Sequence, residues 1–139
     1  MGKFRIIVKA VVEYEGKYLA VERWYNDCIV EPYQWEFLDG EMEFGEAPEH
    51  AAIRIAAEYT GLHTEVMDTL YTWEFTAGEV STIGIAFACK ALNDEIILAD
   101  ELLNYKWISK EEFTGVITRN AVLRDMTRVG FIGAADVEE

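Results

Sequence analysis

Apolar and polar residues alternate or cluster along this chain in ways that predict its elements. "FRIIVKAVVEYEGKYLAVERW" holds two β-branched apolar runs around Glu15-Gly16, the pattern of a β-hairpin. "NDCIVEPYQ" reads as a loop closed by Pro32, and "WEFL" as a short strand. "APEHAAIRIAAEYT" carries a helix: Pro48 suits the first turn, Glu46 and Glu49 suit its positive end, and Gly61 suits the position after its last turn. "TEVMDTLYTWEFT" and "VSTIGIAFACKAL" read as a second hairpin turning at Ala77-Gly78-Glu79, and "LNYKWI" as a further short strand. Ser109 with Glu112 forms a capping-box pattern opening a short helix. A last helix is expected over about Thr118 to Val129, with apolar Val122, Met126 and Val129 and a stop at Gly130. The tail "AADVEE" is expected to fray.

The resulting order, β-β-β-α-β-β-β-α-α, predicts an α+β fold with a mixed sheet between helical layers. The 139 residues fit one domain over 1–139, large enough to bury a core without disulfides. A 51% apolar content places the chain among globular proteins. The net charge of −14 argues against a nucleic-acid polymer as partner, since affinity for a phosphate backbone comes mainly from Lys and Arg. A small polyanion would need a divalent cation or a local Arg cluster to offset the repulsion. Cys28 and Cys89 lie far apart and in no CxxC arrangement, which fits ordinary thiols in a reducing cytoplasm. No apolar run approaches membrane-spanning length, so no membrane partner is expected.

One stretch calls for more than packing. "DGEMEFGEAPEH" crowds Asp39, Glu41, Glu43, Glu46 and Glu49 together just before and into the start of the helix. An acidic run is ordinarily a solvated face, and Arg54 with Glu58 is ordinarily a helix-surface ion pair. Their joint spacing resembles the Nudix box, G-x5-E-x7-R-E-U-x-E-E-x-G-U, with U an aliphatic residue. Over "GEMEFGEAPEHAAIRIAAEYTGL", Gly40, Glu46, Arg54, Glu58, Gly61 and Leu62 fall in register, as does Ala56 if Ala counts as aliphatic. Flanks extend the likeness over effectively the whole chain: "GKYLAVER" is similar to the family's second strand, "WEFLDG" to its W-x-F-P-G-G entry, and "DELLNYKWIS" to its late acidic segment before a Trp. Two helix glutamates depart from the pattern, replaced by Ile55 and Tyr59, and Leu38-Asp39 stand where the family has Pro-Gly.

The resemblance implies an α/β/α sandwich and a hydrolase of a nucleoside diphosphate linked to another moiety. In such enzymes Mg²⁺ or Mn²⁺ bridges phosphate oxygens and activates water, held by helix carboxylates that converge on one face. Carried onto this chain, Glu46, Glu58 and Glu101 are the expected metal ligands. Glu58 and Glu101 are also the expected catalytic carboxylates, Glu101 as ligand or base, with Arg54 orienting a glutamate by an ion pair. Because Ile55 and Tyr59 remove oxygen ligands from one stripe of the helix, the metal site is expected to be weakened. A second function stays open beside it: a Nudix-fold domain that binds a nucleotide-like ligand, or a protein partner, without cleavage. The resemblance also implies a possible homodimer.

Ligand contacts are expected from Arg23 at the end of the second strand and from Tyr33 and Trp35, with Trp24 and Tyr25 as further candidates near loop ends. Tyr71, Trp73 and Phe75 could stack on a base, although strand aromatics mostly pack cores. His50 and His63 have no partner at metal-ligand spacing.

Overall fold

The computed structural model describes residues 2–23 and 33–133. The expected loop from Asn26 lies outside these residues up to Pro32, as do Trp24, Tyr25, Cys28 and the C-terminal tail. The first hairpin forms as β1 (Lys3–Tyr14) and β2 (Lys17–Arg23), and Glu15 and Gly16 both take positive φ at its turn. The remaining strands are β3 (Gln34–Glu36), β4 (Leu38–Glu41), β5 (Thr64–Ala77), β6 (Val80–Ala91) and β7 (Leu102–Ile108). The helices are α1 (Pro48–Thr60), α2 (Phe113–Val116) and α3 (Asn120–Arg128). A 3₁₀ turn, Lys110–Glu112, precedes α2 and is held by the Glu112 carboxylate, which accepts from the Ser109 backbone N–H and hydroxyl.

These strands form one mixed sheet in the order β3-β2-β1-β6-β5, parallel only between β1 and β6. Alternate side chains of β1 enter two cores. Val8, Ala10 and Val12 pack with Ala51, Ile55 and Ala56 of α1, whereas Val11 packs with Phe113, Val122 and Met126 from α2 and α3. The expected α+β arrangement, helices on both faces of a mixed sheet, is therefore the fold.

"WEFL" differs from the single strand expected. The chain breaks at Phe37, and β3 pairs with β2 while β4 pairs with β1. The reason is a fork: β2 pairs with β1 only beside the hairpin turn, then diverges to meet β7. Asp39, Gly40 and Glu41, expected in a loop, complete β4 opposite Lys9, Val8 and Ile7. The last helix is shorter than expected, and its first residue is Asn120.

On the α3 face, Lys9, Ala86 and Tyr71 lie side by side across β1, β6 and β5, followed by Ile7, Gly84 and Trp73. Gly84 lets the Trp73 indole lie directly on the β6 backbone, where any Cβ would collide with the ring. Ala fits a strand better than Gly, but the clash should dominate. Gly84→Ala is expected to lose about 1–3 kcal/mol in urea denaturation, with a shift in tryptophan emission. An unchanged midpoint and emission would contradict this packing.

Candidate functional site

Gly40 and Ile55 fix how α1 meets the sheet. A Cβ on Gly40 would stand 3.1 Å from Ile55 Cγ1, so helix and strand approach as closely as a glycine permits. Ile55 is only 1% exposed. One turn on, the Tyr59 ring lies beneath the Arg23 guanidinium, 5.3 Å from the ring centroid. The helix stops where expected: Gly61, at φ 73°, donates to the Ala57 carbonyl. The segment after β6 covers the helix end, with Ile97 and Ala99 N–H groups donating to the Thr60 and Tyr59 carbonyls.

Arg54 organises the acidic loop. Its Nε and Nη2 donate to the two Glu46 oxygens at 2.7 and 3.0 Å, Nη2 also donates to the Glu41 carbonyl at 2.9 Å, and Nη1 reaches Glu58 at 3.2 Å. Glu46 additionally accepts the Glu43 backbone N–H at 3.0 Å. The bond from Arg54, with the Glu43 N–H, holds the Glu46 carboxyl down to about 2. Such a forked guanidinium–carboxylate contact is geometrically specific and uses both oxygens.

Lys9 occupies the fork on the opposite face. It donates to the buried carboxylates of Glu36 and, at 3.1 Å, Asp39. Arg119 reaches Glu36 at 3.1 Å, and Arg23 reaches Asp39 at 3.1 Å while donating to its carbonyl at 2.8 Å. Burial would raise the Asp39 pKa, but Lys9 and Arg23 hold it below the ordinary value. Three cations thus meet two carboxylates, leaving a local positive excess in a strongly acidic chain.

The expected site residues separate on this framework. Glu46 is committed to Arg54, whereas Glu58 is 58% exposed and holds only that same guanidinium. Glu101 is exposed in the turn before β7. Arg23 is spent on Asp39 and Tyr59; Tyr33 is exposed with φ 64°, and half-buried Trp35 lies under Lys106. Cys89 is buried with its thiol pushed up to about 12, an inert thiol.

A hard divalent cation needs several converging oxygens. Among the described residues, no group of three or more Asp, Glu, His or Cys is placed to hold one. Ile55 and Tyr59 put carbon and a phenol on the helix stripe instead. The orphaned polar atom beside Tyr59 is the buried Arg23 Nε, a donor that would repel a cation. Among the described residues, the box therefore lacks a protein cage of three or more ligands for Mg²⁺ or Mn²⁺.

Lys9, Glu36 and Arg119 were not among the expected site residues. For Lys9 the signal was a lysine interrupting the apolar run "IIVKAVV".

The fold and the box helix define a class. A family model described as NUDIX domain matches residues 3–128, and the chain belongs to the Nudix family. It is 30% identical over 119 residues to a protein named nucleoside triphosphatase NudI from Escherichia coli O139:H28 (strain E24377A / ETEC), covering 78% of this chain and 84% of that one. A namesake from Enterobacter sp. (strain 638) is 25% identical over 140 residues, covering 92% and 98%. Among solved structures, the MutT protein from Methanosarcina mazei Go1 superposes with a TM-score of 0.75 at 25% identity, covering 91% of this chain and 92% of that one. A C. elegans Ap4A hydrolase shares the fold, with a TM-score of 0.71 at 19% identity, over 89% and 96%.

The depressed Glu46 pKa fixes the sign of a pH effect. Its contribution to stability is complete above the ordinary value of 4.5 and is lost as pH falls through about 2. The stability gap between the wild type and Glu46→Gln, measured by denaturant titration, should shrink over that window. A gap independent of pH would contradict the clamp.

Proposed function

We propose that this chain is a Nudix-fold protein that binds a nucleotide-like ligand without metal-dependent cleavage of it. One observation carries the reading: Ile55 and Tyr59 occupy the stripe where the box would supply oxygens, while Arg54 takes both Glu46 oxygens. Burying Ile55 favours the fold by roughly 1.5–3 kcal/mol, so this stripe serves packing. An aliphatic side chain cannot replace a carboxylate as a Mg²⁺ ligand. The nucleotide-like ligand comes from the family; a homodimer is part of the same proposal, checked by light scattering.

A weakened hydrolase is the second reading. Its support is the name of the NudI relatives, nucleoside triphosphatase, together with the exposed carboxylates of Glu58 and Glu101. In it Mg²⁺ or Mn²⁺ is held by those two groups, waters and substrate phosphates. Phosphate release over a panel of nucleoside di- and triphosphate derivatives, with each metal, separates the two readings. Non-hydrolytic binding predicts release no faster than a protein-free control. Turnover that EDTA and Glu58→Gln both abolish would establish the hydrolase instead.

A further inference from the structure

Of the six lysines, only Lys9 is buried. Its amine nevertheless borders a cavity of about 450 Å³ between the end of β5 and the first turns of α3. Tyr71 and Trp73 line one side of this space, Arg119 and Val122 the other. Lys9 Nζ lies 5.5 Å from the Trp73 ring centroid. Tyr71 is 5% exposed, and its hydroxyl has no hydrogen-bond partner among the described residues, so a polar group of a ligand would find a donor there.

The charges around the amine leave it free to lose its proton. Glu36 on β3 is also held by Arg119, and Asp39 on β4 by Arg23 of β2, each at 3.1 Å. Both carboxylates therefore keep a guanidinium when Lys9 is neutral, and no acid is stranded. Two further acids stand at the cavity, each with partners of its own. Asp125 on α3 pairs with Arg128 at 3.3 Å, and the Glu74 carboxylate accepts from the Thr76 and Ser81 hydroxyls. Burial, with Arg119 and Arg23 close by, outweighs the pull of Asp39 and lowers the Lys9 pKa to about 8. Desolvation and a neighbouring cation are the two conditions that turn a lysine into a nucleophile. At pH 8 about half of such an amine is neutral, against roughly 0.4% of an ordinary lysine.

We infer that Lys9 forms an imine with an aromatic aldehyde held in this cavity, the ring lying against Trp73. The nitrogen lone pair attacks the carbonyl carbon, the C–N bond forms, and the carbonyl oxygen takes a proton. That oxygen then leaves as water with two protons that began on the ammonium group, and the C=N bond forms. The product is an iminium that keeps the positive charge and one N–H, so it still donates to Glu36 or Asp39 and the buried set loses no charge. A ring joined to Nζ through a single carbon falls within reach of the Trp73 indole, where stacking favours it. The assignment is independent of the nucleotide-like ligand proposed above.

Reductive trapping of the full chain with salicylaldehyde and cyanoborohydride, read lysine by lysine through peptide mass spectrometry, tests it. At pH 8 Lys9 is expected to be labelled about tenfold or more faster than any other lysine, and the urea-unfolded chain to show no such preference. The Lys9 rate should rise through about pH 8 and then level off. In Arg119→Gln, Glu36 is left with Lys9 as its cation, so Lys9 labelling at pH 8 should fall about tenfold while the exposed lysines keep their rates. Wild-type Lys9 labelled no faster than the exposed lysines, or not labelled at all, would overturn the inference. So would an unchanged Lys9 rate in the folded variant. If Arg119→Gln does not fold, the comparison among the wild-type lysines decides alone.

Discussion

Contact between Ile55 and Gly40 is the constraint from which the rest of the box follows. Strand β4 and helix α1 meet at the distance a glycine allows, and an isoleucine fills the seam completely. Every remaining element of the motif serves that junction. Arg54 gathers Glu46, Glu58 and the Glu41 carbonyl, Gly61 ends the helix in a left-handed turn, and Leu62 is buried beyond it. The motif thus divides into a part that folds a loop, a helix and a turn, and a part that supplies metal ligands. This chain keeps the first and, in the second, carries Ile55 and Tyr59 at two of the carboxylate positions.

The opposite face shows a different economy. A fork in the sheet would expose unpaired backbone, and β4 fills it beside β1 while β3 continues β2. Lys9, Glu36, Asp39, Arg23 and Arg119 form the charged packing of that fork. Removing one partner from such a buried set costs roughly 3–5 kcal/mol, because it strands the others. The set therefore ties β1, β3, β4 and the start of α3 together. Arg23 joins the two faces, touching Asp39 on one side and Tyr59 on the other.

Much of this was legible in the residues. Hairpin, box helix and helix stop follow from β-branched runs, Pro48 and Gly61, because those signals are local. The break at Phe37 was not legible, since it depends on β1 and β2 diverging, a tertiary event that no short window contains. The residues of the box were readable as a pattern, but the commitment of Glu46 to Arg54 is geometric: spacing puts the two in reach without saying which oxygens remain free. The surroundings of Lys9 were hidden for the same reason. Lys9, Trp73 and Arg119 are far apart in sequence and meet only through strand pairing and the approach of α3.

On the proposed reading, the box binds no divalent cation tightly. Electron paramagnetic resonance of free Mn²⁺ titrated with the full chain tests it most directly. The hexa-aquo signal is expected to keep its full amplitude at protein concentrations up to about 0.1 mM, well above the micromolar affinities of sensor-type sites. Stoichiometric loss of that signal at micromolar protein, reversed by Glu58→Gln, would contradict it.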